Sequence, residues 1–222
     1  MLRYAITDRT RLPGDEAARQ AALIAQATRL AVAGVDFIQL REKDLSASAL
    51  ADLARRLLAV LRVHSPAPRL LINSRADVAI ATGADGVHLT SAPDALTPAQ
   101  LRSLYAAAGL PEPLVSISCH TLDDVARARA AAATHILFGP VFEKVVADKL
   151  VTEGTGLDLL RDSTLAAAPI PVLALGGITP ANTQDCLAAG AAGIAAIRLF
   201  SSDSTSILPN SAIDLDRATP YA

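Results

Sequence analysis

The sequence predicts an α/β protein: a single closed (β/α)8 barrel of the TIM type whose eighth helix is weak or missing. Two observations carry this expectation. Eight short apolar runs alternate with seven longer amphipathic runs between residues 3 and 200, and parallel strands need such crossovers, while closure of the sheet removes its exposed edges. Hydrophobic residues make up 51% of the 222 residues, yet aromatic residues make up only 3% and Trp is absent. The core must therefore be built from Ala, Leu, Val and Ile, the palette of helices packed on parallel strands. The length suits one large core. A doubly wound open sheet is the alternative arrangement of the same alternation.

Taken in order, short runs bounded by turn residues read as buried strands, and longer runs with apolar residues three and four apart read as helices. The chain opens with "RYAIT" (3–7), an Ala/Leu-rich helix over about 16–33, "FIQLRE" (37–42) and a helix over about 46–63. It continues with "RLLINS" (69–74), a short helix near 76–82, "GVHLT" (86–90), a helix near 97–108, "VSISCH" (115–120) and a helix near 122–132. Then come "THILFGP" (134–140), an irregular segment to Gly156, a helix near 157–167, "PVLALGG" (171–177), a helix near 180–189 and "GIAAIRLF" (193–200). The barrel domain thus occupies 1–200. Residues 201–222 form a polar Ser/Asp/Pro-rich tail where the eighth helix belongs. Either that helix is a stub near 207–213, or a partner subunit, as in a homodimer, covers the last strand.

A net charge of −2 with no basic run excludes a nucleic-acid face and a polybasic membrane anchor, and favours a small-molecule partner. Cys119 and Cys186 lie far apart in apolar runs with no metal-ligand spacing, as expected of reduced thiols in a cytosolic protein. The opening "MLRYAITDRTRLPGDE" reaches charge too early for a signal peptide, and no apolar run has the length of a membrane span, so a cytoplasmic location is expected.

In such barrels the chemistry sits at the carboxyl ends of the strands. Those ends collect Gln39, Arg41 and Lys43 after strand two, Asn73-Ser74-Arg75 after strand three, His88 to Ser91 after strand four, and Ser118 and His120 after strand five. Gly139-Pro140 follows strand six and Gly176-Gly177 strand seven. The glycine pair lets backbone approach an anion, and a helix opening at Thr179 or Pro180 would favour phosphate there; a tight turn that needs glycine for φ alone is the plainer alternative. Arg41 and Lys43, two apart, share a face if the strand persists, and together suit a phosphate or carboxylate. Their plainer alternative is a solvated strand end with Glu42 and Asp44 as local ion partners. His120 stands where a proton carrier near neutral pH would stand, or is a satisfied structural side chain. His88 reads as a core hydrogen-bonder, and Cys119, alternating with His120, as packing. The segment 141–156, with Glu143, Lys144 and Lys149, reads either as a lid that closes on an anionic substrate or as a variable surface loop.

These strand ends, in this order, resemble the thiamine-phosphate synthase/TenI family of thiamine-biosynthesis barrels. The stretches that carry the resemblance are "YAITD" (4–8), "QLREKD" (39–44), "INSRADVA" (72–79), "GVHL" (86–89), "SISCHTLDD" (116–124), "FGPVFE" (138–143), "PVLALGGITPAN" (171–182) and "AAGAAGIAAI" (188–197). The resemblance implies a thiazole phosphate at the barrel mouth. Its phosphate would be held at Gly176, Gly177 and Ile197, with Gln39, Arg41, Lys43, Asn73, Ser118 and Lys149 as further substrate-binding residues.

Family membership leaves the reaction open. The synthase joins an aminopyrimidine diphosphate to a thiazole phosphate and holds Mg2+ through carboxylates. One stands directly after the Asn of strand three, where this chain has Ser74; another stands beyond the His-Leu of strand four, where Asp94 lies one residue further out. A missing hard-oxygen ligand weakens such a site. The Thr-rich run before the synthase's Lys is replaced here by "EKVVADK". On those departures the TenI-like branch resembles this chain more closely, which implies a thiazole tautomerase with His120 as catalytic proton carrier and no metal or other cofactor. The synthase, with Mg2+, is the alternative. A non-catalytic binder or regulator of thiazole or thiamine phosphates is a third reading.

Overall fold

The computed structural model describes residues 1–92, 94–146 and 149–201, with backbone alone over 144–146 and 149–150. In chain order the elements are β1 (Leu2–Ile6), α1 (Glu16–Val32), β2 (Phe37–Leu40), α2 (Ala47–Leu61), β3 (Arg69–Asn73), α3 (Ala76–Thr82) and β4 (Gly86–Leu89). They continue with α4 (Pro98–Ala107), β5 (Leu114–Cys119), α5 (Leu122–Ala130), β6 (His135–Phe138), β7 (Lys144–Val146), β8 (Lys149–Thr152), α6 (Gly156–Ala167), β9 (Val172–Leu175), α7 (Thr183–Ala188) and β10 (Gly193–Ala196). Eight of the strands close a parallel barrel in the order β1-β10-β9-β6-β5-β4-β3-β2. This is the predicted TIM barrel; the open sheet is excluded because β1 pairs with both β2 and β10.

Local chemistry sets where the helices begin. Asp15 accepts from the Ala18 amide and Ser46 from the Ala49 amide, each relieving one unpaired first-turn donor. Thr97 with Gln100 and Thr121 with Asp124 form reciprocal capping boxes, and Pro98 stands at the first turn, where its missing N–H is not needed.

The period of two along each strand divides the core in two. Tyr4, Ile6, Phe37, Leu71 and Leu137 point into the barrel, whereas Ala5, Ile38, Leu70, Ile72 and Ile136 pack outward against the helices. Truncating one fully buried leucine such as Leu71 to Ala would cost about 2–5 kcal/mol. Cys119, fully buried, belongs to the outer layer, as expected.

Four expectations are corrected. The second strand ends at Leu40 rather than at residue 42, because the Arg41 amide donates to the Thr7 hydroxyl (3.0 Å) instead of continuing a ladder. The segment 141–156 is not irregular throughout: β7 and β8 pair antiparallel within it, and the β-branched residues Val145, Val146 and Val151, scattered among charges, supply the strand preference. The seventh helix opens at Thr183, not near residue 180. The last strand ends at Ala196, and Arg198–Phe200 form a short 3-10 turn.

Among the described residues there are seven α-helices. Where an eighth would pack, the buried Gln26 of α1 donates to the Phe200 carbonyl (2.7 Å), so α1 itself holds the chain leaving β10. Residues 202–222, with the expected stub at 207–213, lie outside the described residues. Among the described residues no helix is long and apolar enough to cross a membrane.

Candidate active site

The carboxyl ends of the barrel strands surround a cavity of about 560 Å3. Seven residues singled out from the sequence line it together: Gln39, Arg41, Lys43, Asn73, Ser118, His120 and Ile197. Ser74, His88, Thr90 and Ser91 complete its polar wall, and Ile6, Leu137 and Leu175 supply apolar surface.

Arg41 and Lys43 form the cationic side. Their acidic neighbours are not their partners, because Arg9, from the turn after β1, takes both. Its guanidinium grips Asp44 with two bonds (2.7 and 2.8 Å), donates to Glu42 (3.1 Å) and donates to Glu16 (2.8 Å). Glu42 is 4% exposed and also accepts from the Thr7 hydroxyl (2.6 Å) and the Arg9 amide. Burial pushes its carboxyl upward against those bonds, while Arg9 holds the Asp44 carboxyl below the ordinary range. The solvated strand end with local ion partners is thus not what forms. No carboxylate among the described residues pairs with Arg41 or Lys43.

The floor of the cavity is a chain of neutral hydrogen-bonding groups running across the barrel interior. Gln39 donates to the Tyr4 hydroxyl (3.2 Å), Tyr4 meets Ser116 (3.0 Å), and His88 bridges Ser116 through Nδ1 and Ser118 through Nε2, each at 2.8 Å. Burial, with the Arg41 charge as a lesser cause, lowers the His88 pKa to about 3, and burial raises that of Tyr4 to about 12. His88 is therefore neutral at physiological pH, donating from one nitrogen and accepting at the other. His88 has the core hydrogen-bonding role the sequence gives it and, as its place at the end of strand four implies, also lines the cavity. Its partners were the part not foreseen, although the two-residue spacing of Ser116 and Ser118 sets both hydroxyls on one face of β5.

His120 lies one residue past β5 and its side chain is exposed. Its ring Nδ1–H donates to the Gly139 carbonyl of the neighbouring strand end, which leaves Nε2 as the basic nitrogen of the neutral ring, with no hydrogen-bond partner among the described residues. The first turn of α5 is bonded to the backbone instead: Asp124 accepts from the amides of His120 (2.9 Å) and Thr121 (3.1 Å). The ring is not a helix cap.

A smaller pocket of about 300 Å3 adjoins the mouth and shares Ser74 and Thr90 with it; Asp94 lines it too. Despite the extra residue before it, Asp94 lines the same pocket as Ser74. Ser74 has φ +57, the left-handed region, and its amide donates to the His88 carbonyl (2.8 Å). Among the described residues, no three His, Cys, Asp or Glu side chains cluster as a metal site.

Gly176 and Gly177 follow β9 with φ +95 and +65, which favours glycine. A Cβ on Gly177 would stand 2.6 Å from the Phe142 Cβ, and one on Gly176 2.5 Å from the Pro140 Cα, so packing as well as φ demands glycine here. The helix expected to receive a phosphate beside them does not start there. Asn182 closes the intervening turn, accepting from the Thr179 amide (2.8 Å) and donating to the Gly177 carbonyl (3.0 Å). Lys149 opens β8, and its side chain lies outside the described residues.

Comparison with known proteins bears on this geometry. The family profile described as thiamine monophosphate synthase matches residues 3–200. A Geobacter sulfurreducens protein, provisionally named a thiamine-phosphate synthase, is 40% identical over 200 residues, covering 90% of this chain and 86% of its own. The thiamine-phosphate synthase of Methanoculleus marisnigri is 38% identical over 171 residues, 76% of each chain. Among solved structures, thiamine phosphate pyrophosphorylase from Pyrococcus furiosus superposes with a TM-score of 0.72 at 24% identity, covering 92% of this chain and 89% of that one.

Proposed function

The chain belongs to the thiamine monophosphate synthase family, and from that premise we propose that it is itself a thiamine-phosphate synthase, which joins an aminopyrimidine diphosphate to a thiazole phosphate. This is the reading ranked second on sequence alone. The relatives' names favour it over the tautomerase. The observation that carries it is the Arg41 and Lys43 pair, released from its neighbouring carboxylates by Arg9 and set beside an uncharged floor.

In the proposed reaction the lone pair of the thiazole nitrogen forms a bond to the methylene carbon of the pyrimidine as its C–O bond to diphosphate breaks. The electron pair leaves on the diphosphate oxygen, and no proton is consumed. Arg41 and Lys43 meet the charge that grows on the leaving oxygen, where a preformed cation is worth most. Gln39, Asn73 and Ser118 orient the aminopyrimidine by hydrogen bonds, with Gln39 and Ser118 themselves held by Tyr4 and His88. His88, neutral, adds no positive charge to the cavity in which the carbon that the leaving group abandons turns electron-poor.

A Mg2+ ion that rides on a diphosphate needs only one or two protein oxygens, the rest coming from phosphate and water. Asp94 and the Ser74 hydroxyl, lining one pocket, fit that requirement and would hold it. When bound, the ion would neutralise diphosphate charge.

The tautomerase remains a second reading because of one observation, the basic Nε2 that the Gly139 bond leaves on His120. Purified protein incubated with aminopyrimidine diphosphate, thiazole phosphate and Mg2+ is expected to release thiamine phosphate and inorganic diphosphate. Failure of that coupling, with turnover of the carboxythiazole phosphate tautomer alone, would reverse the order of the two readings.

A further inference from the structure

Arg9 touches none of the cavity described above, yet it is the most heavily committed side chain at that rim. Its guanidinium is 4% exposed and bonds three carboxylates from two elements: Glu16 from α1, and Glu42 and Asp44 from the segment after β2. The sequence "REKD" places Glu42 between Arg41 and Lys43, and Asp44 directly after Lys43. Left to themselves, these four residues would form local ion pairs, since opposite charges one residue apart in an exposed turn are within mutual reach.

The structure sorts the charges instead. The two acids turn toward Arg9 and the two cations line the mouth. The strand does not impose this alternation, because β2 has already ended at Leu40. Thr7 assists from the other side, accepting from the Arg41 amide (3.0 Å) while donating to Glu42 (2.6 Å).

We propose that Arg9 is a positioning residue for the anion site. By holding Glu42 and Asp44 it keeps them off Arg41 and Lys43, and so sets the affinity of the mouth for a diphosphate without touching it. Without Arg9, Asp44, whose side chain is 59% exposed, is free to turn to Lys43, and Glu42 must leave its buried seat or find another cation, of which Arg41 is adjacent in sequence. Either pairing removes positive charge from the site. The inference rests on the reading that Arg41 and Lys43 bind the diphosphate.

The test is calorimetric binding of inorganic pyrophosphate to the full chain, with thermal melts recorded alongside. Arg41→Met examines the underlying reading: a loss of affinity of about tenfold or more is expected, and unchanged affinity would remove the anion site from this wall whatever Arg9 does. Arg9→Met is then expected to weaken pyrophosphate binding by about tenfold. Neutralising the released acids in the same chain, as Arg9→Met/Glu42→Gln/Asp44→Asn, is expected to restore affinity to within about threefold of the unaltered protein. A merely structural Arg9 predicts no such rescue. If Arg9→Met alone fails to fold because Glu42 is left buried and unpaired, the triple variant, in which the one acid left without Arg9 is the half-exposed Glu16, answers by itself: affinity near that of the unaltered protein supports the inference, and weak binding by the folded triple variant overturns it. Unchanged affinity in a folded Arg9→Met overturns it as well.

Discussion

His88 and Ser118 are joined through Nε2 and Oγ at 2.8 Å, and this bond ties the interior of the barrel to the wall of its mouth. The other ring nitrogen is bonded to Ser116, so protonating the imidazole would make both nitrogens donors and force one serine to reorient.

That coupling has a pH signature. The His88 pKa is about 3 in the folded chain against an ordinary 6.5, and burial lowers His135 to about 4. The unfolded chain therefore binds more protons than the folded one below about pH 6.5, so stability is fully present above that pH and is lost as pH falls. Each histidine contributes a limiting slope of about 1.4 kcal/mol per pH unit. Between pH 7 and 5, where both histidines make the unfolded chain the stronger proton binder, urea midpoints are expected to fall steeply, and His88→Gln is expected to flatten the fall by about half. An equal fall in the variant would show that His88 does not carry this stability.

Ser74→Asp is expected to raise magnesium-dependent coupling, by roughly tenfold, through a second carboxylate beside Asp94 in the same pocket. The φ of +57 at this position suits Asp at least as well as Ser, so melting temperature should scarcely change. Initial rates of thiamine phosphate formation across a Mg2+ titration check this; a rate no higher than that of the unaltered protein would mean that a carboxylate at residue 74 adds nothing.

Gly177→Ala is expected to lower stability by about 1–2 kcal/mol for the left-handed φ alone, with a further cost from the Phe142 contact. If phosphate is gripped at this turn, affinity for a phosphorylated thiazole should fall by about tenfold or more in the folded variant. Gly190→Ala supplies the control. Gly190 precedes β10 at the opposite end of the barrel, with φ +97 and a comparable contact to Thr164, so stability should drop there without loss of binding. Equal binding in both variants would place the phosphate elsewhere.

His120→Asn examines the second reading. A proton-carrying His120 predicts a loss of tautomer turnover of roughly two to four orders of magnitude, while thiazole phosphate affinity and melting temperature stay close to those of the unaltered protein. Preserved turnover per folded molecule, with a lowered melting temperature, would leave the Gly139 bond as the ring's whole role.

The barrel was legible because its signal is repeated eight times and each repeat is local. The short unbroken apolar run of "RLLIN" and the apolar stripe of "ASALADLARRLLAVL" each follow from short-range geometry. The rim was legible to the extent that strand ends map onto one face. What failed were the places where a competing local interaction cut an element short: the Thr7 hydroxyl takes the Arg41 amide that would have extended β2, and Asn182 ties up the turn where a helix start was expected. The β7 and β8 pair escaped notice because its β-branched residues are interleaved with charges, so no run of them stands out.

By itself, then, the sequence determined the closed barrel, the family and the set of side chains gathered at the mouth, since all three depend on patterns spaced along the chain. Only the tertiary structure decided the charge of that mouth. In sequence, "REKD" is two cations and two acids that cancel. In the fold, a guanidinium 33 residues from Glu42 and 35 from Asp44 withdraws both acids and leaves Arg41 and Lys43 facing the cavity. The physical reason is range: hydrophobic periodicity is written between near neighbours, whereas the partner chosen by a charge depends on which distant groups closure of the barrel brings within a few ångströms.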